Sequence, residues 1–260
     1  RIGIPIVPHY LSGIILNQGD RIMIDKMVGK TEVALYGLAY SIGMLVQLFI
    51  SGMNSALTPW MYSKIKKGDI RSMRKVLQLL SVVVVGIAVA LMLISPELVL
   101  IFGSPKYREA VYVIPPVAAS VFFIFIYNIL SMPQFYYEKT QFLMAASMAA
   151  AGANVVLNFI FIRLFGYIAA GYTTLACYML YSVGHYIVSK RILVNEGIQE
   201  NLMSPGFLLA CSVFLIGASI ICNLIFPYRI LRYAILLASA GLVFWKKELL
   251  LKTMADIRKK

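Results

Sequence analysis

VLQLLSVVVVGIAVALMLISP, from Val76 to Pro96, holds no Asp, Glu, Lys or Arg over twenty-one positions. Wound as an α-helix at about 1.5 Å per residue it spans about 30 Å, the hydrocarbon thickness of a bilayer. Lipid offers the backbone no hydrogen-bond partner, so a segment crossing it must satisfy its own N–H and C=O groups, as a helix does. The stretch therefore predicts a transmembrane helix. Seven others read the same way: Ile2 to Gly19, Val33 to Ser63, Ala110 to Tyr137, Thr140 to Ile162, Leu164 to Ser189, Asn201 to Tyr228 and Tyr233 to Trp245. The first is expected to continue through Asp20 and Arg21 to about Val28. The last is short and needs Ile230 and Leu231, with Arg232 snorkelling to the interface.

The whole chain agrees with these segments. Of 260 residues, 60% are apolar and 13% charged, with mean hydropathy +0.82; a soluble domain carries about 25% charged residues. A water-soluble enzyme is excluded. The expected fold class is an all-α integral membrane protein with eight transmembrane helices. The net charge of +13 would raise nucleic acid in a soluble chain, so its placement matters. With eight spans, sixteen of the twenty-four Lys and Arg fall on the side that holds both ends and the run from Lys64 to Lys75. The positive-inside rule makes that side, and both termini, cytoplasmic. The run from Lys64 to Lys75 reads as a short cytoplasmic helix against anionic headgroups, or simply as a topology signal. Neither it nor the basic C-terminal tail interleaves aromatic residues as a single-strand binder does, so no nucleic-acid partner is expected.

Ionisable groups at bilayer depth cost at least about 2.5 to 3.5 kcal/mol and usually face a cavity or a partner. The first span carries Asn17, Gln18, Asp20, Arg21 and Asp25. Asn17, Arg21 and Asp25 are spaced i, i+4, i+8 and Asp20 follows Asn17 by three, so one polar face is expected near the non-cytoplasmic end. On one reading Arg21 pairs with Asp20 or Asp25 and anchors the helix. On the other the stripe lines a water-filled cavity where Arg21 meets an anionic substrate group, a phosphate suiting its planar fork. Pro5 and Pro8 favour the cavity, since transporters place broken helices at binding sites. Asn154 and Asn158, one turn apart in the fifth span, either bond helix to helix or face the cavity, and Arg163 beyond them is an interface anchor or a substrate contact.

Weaker candidates are Gln47 with Asn54, and His185, which reads as a packed group more readily than as a proton relay. Glu97 reads as a solvated carboxylate. Pro115 and Pro116 are expected to bend the fourth span, and Pro59 and Pro133 to mark the cytoplasmic ends of the second and fourth. The sixteen tyrosines fit an interfacial belt; Tyr36 and Tyr40, one turn apart, also suit stacking on sugar rings, with the belt preferred. Cys177, Cys211 and Cys222 lack metal or disulfide spacing. No paired carboxylates, His-carboxylate pair or P-loop occurs, so no catalytic site, cofactor or direct ATP coupling is expected. Substrate exchange or an ion gradient would have to drive transport.

Three stretches carry a family resemblance: NQGDRIMIDKMVGKTEVALYGLAYSIG (Asn17 to Gly43), ALTPWMYSKIKKGD (Ala56 to Asp69) and NVVLNFIFIRLFGYIAAGYTTLACY (Asn154 to Tyr178). Their Asp-Arg pair, short Gly loop, Tyr/Ala-rich helix start, basic turn and Asn-x3-Asn helix resemble bacterial polysaccharide flippases of the multidrug, oligosaccharidyl-lipid and polysaccharide exporter superfamily. The third departs from the family's pattern, because Tyr167 directly follows Gly166 and Gly171 follows the two alanines. The resemblance implies the C-terminal half of a fourteen-helix transporter: a six-helix lobe over residues 1–195 and two peripheral helices with a basic tail over 196–260. It implies a bacterial cytoplasmic membrane, a missing N-terminal six-helix lobe as partner, and polysaccharide polymerase machinery as a possible further one. The implied substrate is an undecaprenyl-pyrophosphate-linked oligosaccharide for surface polysaccharide, with Arg21 and Arg163 matching cationic cavity positions. Alternatives are a peptidoglycan-precursor flippase or multidrug antiporter of the same superfamily, a membrane-embedded acyltransferase or sugar polymerase using His9 or His185, and a non-transporting structural subunit.

Overall fold

The structure, a computed structural model, describes residues 3–245, with side chains for 11–239 and 241. Arg1 and the basic tail from Lys246 to Lys260, which enter the orientation argument, lie outside the described residues, as do the side chains of Pro5, Pro8 and His9. Among the described residues the fold is helical throughout: α1 (Gly3–Met27), α2 (Lys30–Gly43), α3 (Leu45–Lys66), α4 (Ile70–Phe102), a 3-10 segment (Pro105–Val113), α5 (Ile114–Tyr136), α6 (Gln141–Phe165), α7 (Ala169–Asn195), α8 (Pro205–Ile225) and α9 (Arg229–Trp245). Because α2 and α3 run on as one apolar passage of 37 residues, these elements make the eight expected crossings, and the chain is an all-α, multi-pass membrane protein.

The joints differ from the expected ones for identifiable reasons. α1 is unbroken across Pro5 and Pro8; Pro5 falls in its first turn, where a missing N–H costs little. The second span instead breaks at Met44, beside Gly43, where a Cβ would stand 2.7 Å from Val117 Cγ1; the glycine lets α2 close onto α5. Pro115 and Pro116 start α5 after the 3-10 segment rather than bending it. Pro59, Pro96 and Pro133 all sit inside helices that run on beyond them. Leu164 and Phe165 end α6, and α7 starts only after Gly166 turns the chain at φ 75°.

No separate helix occupies the run from Lys64 to Lys75. α3 passes into α4 through a tight turn at Gly68 (φ 68°), where Asp69 caps α4 through Ser72 N–H and pairs with the buried Lys64 at 2.6 Å. The Lys64 ammonium holds the Asp69 carboxyl below its usual range. A buried lysine cannot hydrate its charge, so the turn folds around the pair instead of lying flat on the headgroups.

α5 is the central post. It is buried almost throughout and packs against α3, α4, α7 and α8, while α1 lies on α6 and α6 on α7. Its apolar character on every face follows from that position. α8 touches α4 and α5, and α9 touches α4 and α8. The expected snorkelling of Arg232 is not observed. It is 3% exposed, its guanidinium forms two 2.8 Å bonds to Glu97, and Nη1 also donates to Leu93 C=O at 2.6 Å. Glu97 is accordingly a paired carboxylate rather than a solvated one, and the pair fastens α9 to α4.

Candidate functional site

The C-terminal half of α1 turns Asp20 inward, together with Leu16 and Ile24 at i−4 and i+4. Asp20 is 0% exposed. Its Oδ2 accepts from Tyr36 of α2 at 2.5 Å and from Thr174 of α7 at 2.8 Å, and its Oδ1 accepts from Asn158 Nδ2 of α6. Asn158 Nδ2 also donates to Asn154 Oδ1 at 3.1 Å, and Thr173 Oγ1 donates to Asn158 Oδ1. Four helices thus meet on one carboxylate. Hydrogen bonds to a carboxylate contribute about 1.5 to 3 kcal/mol each and offset part of the cost of burying it. Yet every partner is neutral, and no Lys or Arg among the described residues pairs with Asp20. The oxygens gathered here are those of one carboxylate and of the Tyr36 and Thr174 hydroxyls, while Asn158 presents its N–H; the set suits a proton or, with that amide turned over, a single hard monovalent cation. A divalent ion would need more charge, and no group of three His, Cys, Asp or Glu is present among the described residues.

The expected single polar face divides into three environments. Asp20 is enclosed. Asn17 and Arg21, partly buried, line an open cavity of about 680 Å³ with Gln18, Tyr40, Tyr127, Tyr178 and Tyr181. Asp25 is exposed and does not line it: at about 100° per residue, eight residues overshoot two full turns by about 80° and move the side chain about 12 Å along the axis from Asn17. Neither expected Arg21 ion pair forms. The guanidinium lies 5.5 Å from the Tyr40 ring centroid, makes a long 3.4 Å contact to Gln18, and leaves Nε without an acceptor. Asn17 is held by Tyr40 OH at 2.7 Å and itself donates to Gly13 C=O. The cavity thus has one unneutralised cation, two amides and four phenol rings, drawn from α1, α2, α5 and α7.

Asn154 and Asn158 are both 0% exposed; Asn158 bonds across helices to Asp20, while Asn154 accepts from Asn158 within α6. Arg163 does not join them: it lies exposed on the outer face of α6, its guanidinium 3.9 Å from the ring centroid of Phe159, one turn back. Gln47 and Asn54 are likewise outside the cavity lining. Tyr36 and Tyr40 are buried hydrogen-bond donors and not belt residues. His185 is a packed group: fully buried, its Nδ1 2.8 Å from Gln134 Nε2, among the rings of Tyr127, Tyr181 and Phe142. The sequence reading missed Thr173, Thr174, Tyr127, Tyr178 and Tyr181. The two threonines stand out in hindsight as adjacent polar residues in GYTTLACY, whereas no local signal separates the three tyrosines from the other thirteen.

Comparison with known proteins bears on both sites. The sequence profile described as MatE matches residues 5–160, more than half the chain and a range that includes Asp20, Asn154 and Asn158. The chain is 29% identical over 154 residues to the "Lsg locus putative protein 1" of Haemophilus influenzae, covering 56% of this chain and 37% of that protein. It is 31% identical over 134 residues to an "Uncharacterized membrane protein" of the same organism, covering 48% and 32%. The matches span about a third of the length of these curated relatives. No solved structure matches the chain.

Proposed function

The chain belongs to the MatE family of the multidrug, oligosaccharidyl-lipid and polysaccharide exporter superfamily, and on that premise we propose that it serves a flippase. Its substrate is a lipid-linked oligosaccharide, carried on an undecaprenyl pyrophosphate and moved across a bacterial cytoplasmic membrane for surface polysaccharide. Both chain ends face the cytoplasm. A second six-helix lobe completes the cavity, and polymerase machinery receives the product. The observation that carries this reading is the cavity of about 680 Å³, which sets Arg21 among Asn17, Gln18 and four tyrosines. Phenol rings offer faces to sugar C–H groups, amides match hydroxyls, and a guanidinium fork matches phosphate oxygens. Carrying such a headgroup through hydrocarbon unaided would strip its polar groups of water at several kcal/mol each, so a polar cavity supplies the route while the lipid tail stays in the bilayer.

Asp20 is the proposed coupling group. A proton or monovalent cation bound there cancels a buried charge shared by α1, α2, α6 and α7, so its arrival and departure bias how these helices pack. An imposed proton or sodium gradient should therefore set the transport rate. The test of the substrate reading is a leaflet assay: the protein in vesicles, a fluorescent lipid-linked oligosaccharide, and an impermeant quencher. Wild-type protein should move the headgroup with no covalent change to it. Arg21→Ala should abolish movement while membrane insertion persists. Full movement by Arg21→Ala, or a new covalent product, would overturn the reading.

A further inference from the structure

A second cavity, of about 820 Å³, lies at the opposite end of the helices from the Lys64–Asp69 turn, between the end of α4, the 3-10 segment and the α8–α9 turn. Its charged lining is Glu97, Glu109, Lys106, Arg108, Arg229 and Arg232, four basic groups against two acidic. The imbalance is larger than the count suggests. Glu97 is already engaged by both terminal nitrogens of Arg232, so it has little left for Arg229, whose Nε is 4.0 Å away on a side chain 73% exposed. Lys106 and Arg108 are exposed and form no ion pair among the described residues. Three cations from two elements, the 3-10 segment and α9, therefore face one cleft with Glu109 as the single unengaged carboxylate in its lining.

The walls identify the kind of molecule. Pro96, Leu100, Tyr112, Phe226 and Pro227 line the same cleft. Just outside it Ile101, Phe102 and Ile230 are 72%, 62% and 88% exposed, a surface suited to acyl chains. A basic cleft opening onto lipid-facing apolar surface matches an amphiphile with an anionic head. We propose that this cleft binds the phosphate of an anionic lipid headgroup, with Lys106, Arg108 and Arg229 as its donors. The lipid joins the 3-10 segment to α9, whose main contacts among the described residues are with α4 and α8. A phosphate between the 3-10 segment and Arg229 adds a second tie for α9 beside the Arg232–Glu97 pair. The site is separate from the central cavity and does not depend on what that cavity carries.

The test measures thermal stability and lipid retention by native mass spectrometry. Purified protein is taken in detergent with phosphatidylglycerol, phosphatidylcholine, a polyprenyl monophosphate or inorganic phosphate. Phosphatidylglycerol or the polyprenyl phosphate should raise the melting temperature and stay bound, and phosphatidylcholine should not. Which of the two binds more tightly separates a diester site from a monoester site. In the triple variant Lys106→Gln/Arg108→Gln/Arg229→Gln the apparent affinity should fall about a hundredfold, at roughly fivefold per basic group. The charge-keeping variant Lys106→Arg/Arg108→Lys/Arg229→Lys should retain most of it. Equal stabilisation by phosphatidylcholine, unchanged retention in the Gln variant, or full competition by inorganic phosphate would each overturn the proposal. The wild-type comparison of lipids decides it even if the Gln variant does not fold.

Discussion

Asp20 and Arg232 are both ionisable, both almost completely buried, and handled in opposite ways. Arg232 meets a carboxylate head on, with two 2.8 Å bonds to Glu97 and a backbone carbonyl besides. Asp20 meets only neutral donors from three other helices. A fully paired ion has its countercharge built in and works as a fastener, here of α9 to α4. A charge held by dipoles alone is fixed in position but not cancelled, and in a low-dielectric setting that favours whatever mobile cation can reach it. The difference separates a structural charge from one suited to coupling.

The contrast breaks most visibly at Asp20. Asp20→Asn keeps the size and most hydrogen bonds but deletes the charge, so transport should fall about a hundredfold or more while the protein still inserts and folds. Transport rates in vesicles check this, and a near-normal rate would make Asp20 another fastener. Arg232→Ala should do the reverse, lowering the melting temperature through a loss of about 3 to 5 kcal/mol, because Glu97 is left facing no matched cation. The double variant Glu97→Gln/Arg232→Met should recover most of that loss, and a single variant as stable as wild type would show the pair to be idle. The smallest effect is expected at Arg163. Its charge rests on the outer face over Phe159, so Arg163→Ala should change stability by no more than about 0.5 kcal/mol and leave transport intact. A marked transport defect there would return it to the substrate path.

Much of this was legible beforehand. Charge-free runs such as Val76 to Pro96 reported the helices because bilayer thickness converts directly into residue number. Asp20, Asn154 and Asn158 were legible as polar residues that an apolar helix would not carry without use. That they form one cluster was not, since helical spacing sets which residues share a face of their own helix and says nothing of the helix opposite. The same ambiguity placed Arg163 beside the asparagines and Asp25 beside Arg21. Five residues, Asn158 to Arg163, turn a side chain about 140° away, and four, Arg21 to Asp25, leave it about 40° off and about 6 Å further along the axis.

The sequence by itself determined the medium, the number of crossings and a short set of polar residues, because hydrophobic burial and helix length are properties of single segments. Tertiary structure alone decided which buried charge is paired. Arg232, expected at the interface, found Glu97, 135 positions away. Arg21, expected to find Asp20 or Asp25, found neither and faces the cavity. Pairing is a matter of a few ångströms between helices, and packing around α5, through contacts such as Gly43 on Val117, sets those distances.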